Sequence, residues 1–117
     1  MGSTVINIAE LAERLDSDYE LFVELAELFN DDSASLLERI ENAIKNRDNE
    51  GLRKAAHTLK GAVANFSAPA AYEAASILEQ TGKNPHLDGA EEQFEQLKSE
   101  INAVIAEMKK ISQAGSF

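Results

Sequence analysis

A chain of 117 residues with 44% hydrophobic content is one domain with a modest core, ordinary for a folded protein. Its formal net charge of -10 disfavours nucleic acid and anionic membrane surfaces as partners and leaves other proteins. The absence of cysteine excludes disulfides, thiolate nucleophiles and cysteine-based metal sites, and with no signal-peptide pattern or long apolar run the cytoplasm is the default compartment.

In chain order, Asn7 is placed to cap a short helix from Ile8 to Leu15, with Glu10 at its third position in a capping-box-like pattern. Ile8, Leu11, Ala12 and Leu15 would face the body of the protein. Asp16 or Ser17 then opens a long helix running through Asn46, in which Leu21, Phe22, Leu25, Leu28, Phe29, Leu36, Leu37, Ile40 and Ile44 keep a helical period. Asn30-Asp31-Asp32-Ser33 is its weak point, yet the apolar phase resumes on the same side and predicts one continuous helix. Arg47 to Glu50 reads as a turn, with Asp48 or Asn49 capping the next helix.

After a stop between Asn65 and Ala68, Pro69 suits the first turn of a helix that carries Ala71, Tyr72, Ala75, Leu78 and Ile77 inward and ends near Gly82. Gly82 to His86 is a loop, and Asp88 is placed to cap a last helix with Phe94, Leu97, Ile101, Val104, Ile105, Met108 and Ile111 as its stripe. No alternating strand pattern occurs. The fold expected is all-α: an antiparallel up-down-up-down four-helix bundle with a short extra N-terminal helix, one domain over 1–117 with its core at about residues 6–111. Met1-Gly2-Ser3 and Gly115-Ser116-Phe117 read as loose ends, which favours a domain cut from a longer protein.

Function concentrates in Leu52 to Phe66. Leu52, Ala55, Ala56, Leu59, Ala62, Val63 and Phe66 form one buried stripe, and at about 100° per residue His57 lies about 160° from Leu59, pointing to solvent. Gly61, Ala64 and, if the helix continues, Ala68 share its face, a smooth platform flanked by Arg53 and Lys60. Glycine inside a helix costs about 0.5 to 1 kcal/mol relative to alanine, so Gly61 suggests close approach by another molecule. From Gly51 to Tyr72 there is no acidic residue, while Arg53, Lys54 and Lys60 are present; this positive island favours an anion or an acidic partner at His57. A neutral imidazole exposed in this way can attack phosphorus and carry a phosphoryl group.

His57-Thr58-Leu59-Lys60-Gly61, followed by Ala62, Val63, Ala64, Asn65 and Phe66, resembles the motif of histidine-containing phosphotransfer (HPt) domains, and the helix order from about Ile6 to Ile111 is similar to that family's bundle. Ser67 departs from the pattern, since many members have glycine where the active helix ends, and serine suits a left-handed cap poorly.

The resemblance implies that His57 accepts a phosphoryl group from a phospho-aspartate on a response-regulator receiver domain and passes it to another receiver, within a phosphorelay fed by a hybrid histidine kinase. It implies a carrier without kinase activity, probing its partners as a monomer with no nucleic-acid or membrane contact and no cofactor of its own, the Mg²⁺ coming with the receiver. Lys60 would offset the phosphate charge. Alignment with the phosphotransfer domain of the chemotaxis kinase implies a carboxylate at Glu79 that orients the imidazole, with Gln80 as the substitute if the register differs by one and Lys83 as a lesser phosphate or partner contact. Arg53, Lys54, Gly61, Ala64 and Ala68 would form the docking face. Two other readings stand beside this one: a non-catalytic helical adaptor for which His57 is dispensable, and the phosphotransfer segment of a chemotaxis-type kinase whose ATP sits in a separate domain. His86, in its loop, reads as a solvated side chain.

Overall fold

Three helices begin where a short polar side chain accepts one of the backbone N–H groups that a first turn leaves without partners. In the computed structural model, which describes residues 5–117, Asn7 caps α1 (Ile8–Arg14) by accepting the Glu10 N–H at 3.1 Å. Asp18 caps α2 (Tyr19–Lys45) through the Leu21 N–H at 3.0 Å, and Asp48 caps α3 (Asn49–Ala64) through the Gly51 N–H at 2.9 Å. The cap of α2 is thus Asp18, not Asp16 or Ser17. Those two residues take positive φ values of 57° and 59° in the turn that reverses the chain after α1.

The remaining two helices begin differently. Pro69 opens α4 (Pro69–Thr81) without a side-chain cap. Gly89, at a φ of 82°, leads into α5 (Ala90–Ala114), which leaves Asp88 one residue too early to cap it as the sequence suggested.

The long α2 runs unbroken through Asn30 to Ser33. Ser33 is 1% exposed and its hydroxyl donates back to the Asn30 carbonyl at 3.2 Å, so the residue that threatened the helix is satisfied inside it. Phe22, Ala26, Phe29, Ser33, Leu36, Ile40 and Ala43 make its buried stripe in alternating steps of four and three. Leu21 and Leu28 fall beside that stripe and are exposed, contrary to the sequence reading. In α4 the buried apolar positions are Ala71, Ala74, Ala75 and Leu78, while Tyr72 and Ile77 face outward. Small residues let α4 pack closely, and the two bulky ones expected inside are left at the surface.

α2 packs on α3, α3 on α4, α4 on α5 and α5 back on α2, which closes the four-helix bundle; short connections make neighbours antiparallel. The buried apolar set extends from Ile6 to Ile111. α1 contributes Leu11, and the Asn7 N–H donates to the Ser67 carbonyl at 2.8 Å, tying this short helix to the turn between α3 and α4. At the other end, the Tyr19 hydroxyl lies 2.9 Å from the Ile111 carbonyl and 2.5 Å from that of Ser112. Phe117 turns back to within 5.7 Å of the Tyr19 ring and 5.5 Å of the Phe22 ring, so this end is packed rather than loose. Met1, Gly2 and Ser3 lie outside the described residues. Among the described residues no helix is long and apolar enough to cross a membrane.

Candidate functional site

The stripe of α3 places Leu52, Ala55, Ala56, Leu59 and Val63 inside and turns His57 outward from the middle of the helix, its side chain 63% exposed. Next to it runs α4, whose last turn approaches α3 through Gly82. A Cβ added there would lie 2.8 Å from the Arg53 backbone nitrogen and 3.0 Å from its Cα, closer than a side chain can sit. The Asn49 amide bridges the same junction by donating to the carbonyls of Gly82 and Asn84.

That approach brings Glu79 under the imidazole. Its side chain is only 8% exposed and its two oxygens are divided: Oε2 lies 2.8 Å from His57 Nδ1, and Oε1 lies 2.6 Å from Lys60 Nζ. The second contact is an ion pair whose angle falls outside hydrogen-bond geometry. The Lys60 ammonium, aided by the His57 bond and opposed by burial, holds the Glu79 carboxyl below its ordinary value, and Glu79 in turn raises Lys60. Lys60 also stands 5.9 Å from the centroid of the Tyr72 ring. An ionised carboxylate can only accept, so Nδ1 carries a proton, and in the neutral ring the lone pair is on Nε2.

The other residues singled out by sequence fall around this centre. Gly61 is exposed, and an added Cβ would meet nothing within 4 Å, so the chain's own packing does not require a glycine there. Ala64 is half-buried beside it. Ala68 does not belong to the face: α3 ends at Ala64, the chain turns, and Ala68 becomes the 2%-exposed residue that leads into α4. The bond to the ring comes from Glu79 and not from Gln80, which is exposed, and Lys83 lies exposed in the loop beyond.

Arg53 and Lys54 are not free cations. Glu50, one residue before the acid-free stretch, receives Arg53 Nε at 3.0 Å and Nη2 at 2.9 Å, with Lys54 Nζ at 3.8 Å. The Arg53 hydrogen bond is the main cause that lowers the Glu50 carboxyl, and it raises Arg53. Sequence reasoning missed Glu50, although spacings of three and four residues to two basic side chains on one helix were the signal.

Ser67 takes the left-handed conformation that glycine would take more easily, at a φ of 55°, buried, with its hydroxyl unpartnered. His86 is exposed in the loop after α4, where its carbonyl accepts from Arg47 Nη1 at 3.4 Å. Among the described residues no three potential metal ligands converge.

A helical bundle that presents one oriented, exposed imidazole from the middle of a helix has the form of a module that meets its reactant on another macromolecule. The family model described as Hpt domain matches residues 24–107, and the chain belongs to that family of histidine phosphotransfer domains. Among solved structures it is similar to the crystal structure of histidine-containing phosphotransfer protein B (HptB) from Pseudomonas aeruginosa PAO1. The TM-score is 0.89 at 24% identity, over 97% of this chain and 98% of that one, a likeness of fold. No curated protein matches the chain.

Proposed function

We propose that this domain accepts a phosphoryl group on Nε2 of His57 from a phospho-aspartate of one receiver domain and hands it to an aspartate of another, within a phosphorelay that a histidine kinase feeds. The observation that carries the reading is the 2.8 Å contact between His57 Nδ1 and the buried Glu79 on an otherwise open helix face.

The Nε2 lone pair attacks phosphorus in line, the bond from phosphorus to the aspartate oxygen breaks, and the carboxylate leaves with the electron pair. The ring becomes an N-phosphoryl imidazolium that keeps its Nδ1 proton, and Glu79 stabilises the added positive charge. The reverse path reloads an aspartate with no net proton change at Nδ1. Such transfer needs positioning and charge neutralisation more than acid-base chemistry. Lys60 places positive charge next to the phosphoryl position, and the receiver brings the Mg²⁺. Gly61 and Ala64 keep the surface low for the receiver, and Arg53 and Lys54 help to steer its acidic pocket.

The test is transfer from a phosphorylated receiver to the parent protein and to His57→Gln. Label with the acid lability and base stability of phosphohistidine is expected on the parent alone. Full labelling of His57→Gln, or no labelling of the folded parent by several receivers, would overturn the proposal and favour a non-covalent adaptor.

A further inference from the structure

Basic side chains flank His57 along α3, and they are held in different ways. Lys60, three residues after it, pairs with one oxygen of a carboxylate that is 8% exposed and whose other oxygen holds the imidazole. Withdrawing Lys60 would leave a buried negative oxygen without its partner, so that pair resists exchange. Arg53, four residues before His57, pairs with Glu50, whose side chain is 61% exposed. Water can replace a cation at such an exposed carboxylate with little loss. Lys54 already stands 3.8 Å from the same Glu50 oxygen, so Glu50 keeps a cation when Arg53 leaves.

Position favours the exchange. Helical residues four apart share a face, with Cβ atoms about 6 Å apart. Helical side chains lean toward the N-terminus, which sets the imidazole over the turn that carries Arg53. The bond to Glu50 is the main cause that raises Arg53, and the charge of Glu79, 2.8 Å from the ring, adds a small part. Gly82 packs on the Arg53 backbone and anchors it, while the side chain stays 34% exposed.

Resting on the phosphotransfer reading above, we infer that Arg53 binds the phosphoryl oxygens once His57 is loaded, and that Glu50 is the positioning residue that stores Arg53 while His57 is bare. The two guanidinium N–H groups that now meet Glu50 have the fork geometry that suits two phosphoryl oxygens equally. No covalent bond changes in the exchange. Arg53 moves from carboxylate to phosphoryl, Lys54 stays with Glu50, and Lys60 stays with Glu79. Glu50 thereby competes with the phosphoryl group for Arg53, which weakens the site's hold on its cargo and keeps transfer reversible.

Phosphoramidate phosphorylates accessible imidazoles without a receiver, so the loaded protein reports on Arg53 independently of the relay. In ³¹P NMR the phosphoryl group of loaded Arg53→Gln is expected to titrate about half a unit higher than in the parent, because the cation that favours the dianion is gone. Glu50→Gln should shift it the other way, and Glu50→Gln combined with Arg53→Gln should behave as Arg53→Gln alone. With a receiver present, the transfer equilibrium should move about threefold toward the receiver for Arg53→Gln and about threefold toward His57 for Glu50→Gln. An unchanged phosphoryl titration in Arg53→Gln, or a Glu50→Gln shift that persists without Arg53, would overturn the assignment. An Arg53-dependent titration in a protein that exchanges with no receiver would uphold the assignment and overturn the relay reading instead.

Discussion

The molecule carries two exposed histidines in opposite circumstances. His57 stands mid-helix with Nδ1 fixed by a buried carboxylate, whereas His86 lies in the loop after α4, where Arg47 donates to its backbone carbonyl. Exposure makes either imidazole reachable; orientation distinguishes them. The bond to Glu79 selects which ring nitrogen bears the proton and keeps a counter-charge ready for the imidazolium. It exists because α4 can lie close against α3.

The largest effect should separate the two histidines outright. His57→Gln is expected to abolish phosphoryl acceptance and His86→Gln to leave it unchanged, as read by labelling from a phosphorylated receiver. Thermal unfolding of His86→Gln should stay within about 2 °C of the parent, whereas His57→Gln is expected to melt several degrees lower, about 1 kcal/mol, because it takes a partner from the buried Glu79 carboxylate.

Removing the orienting charge should make His57 resemble His86. Glu79→Gln is expected to slow transfer about tenfold to a hundredfold, the worth of one charge-assisted hydrogen bond, in single-turnover assays. The pH dependence of stability has a definite sign here. The Glu79 carboxyl is lowered from its ordinary 4.5, so the stabilisation from its pairing is complete above that value and fades as pH falls through the lower folded value. Lys60 is raised from 10.5, so its share is complete below that value and fades as pH rises through the higher one. Melting curves of the parent and Glu79→Gln should therefore converge in acid, below 4.5.

Wedging the helices apart attacks the same distinction from the scaffold. Gly82→Ala is expected to destabilise the fold by about 1 to 3 kcal/mol, because the added methyl meets backbone that cannot rotate away. Denaturant titration gives the stability, and the Nδ1 proton resonance reports whether His57 has lost its partner. Gly61→Gln should leave that resonance intact and raise helix stability by up to about 1 kcal/mol, while surface plasmon resonance shows weaker receiver binding. The smallest effect concerns the turn beyond the site: Ser67→Gly should stabilise by about 1 kcal/mol by relieving a left-handed serine and removing a buried, unpartnered hydroxyl, with transfer unchanged.

How legible this was in the sequence depends on where the information lay. The α3 stripe and outward His57 follow from local period, and a continuous α2 follows from phase across Asn30 to Ser33, although its cap was read one or two residues too early. Glu79 came only from family resemblance, because a contact between helices 22 residues apart leaves no local trace. Ala68 was misplaced because the platform was extended past the true helix end at Ala64. Tyr72 and Ile77 were read inward with the alanines, whereas the close α3–α4 junction selects the alanines and leaves bulk outside. Glu50 was missed because the acid-free window began one residue after it, although its pairing lies within a single helix.

The placement of His57 halfway along α3, on a convex helix surface with one reactive nitrogen, has a kinetic consequence. Any partner that reaches Nε2 must lie across the same face, so on the proposed function donor and acceptor receivers would occupy it in turn and never together. Such a relay would follow ping-pong kinetics. An unphosphorylated receiver in excess would then act as a competitive inhibitor of loading, and flux through the domain would pass through a maximum as the acceptor concentration rises.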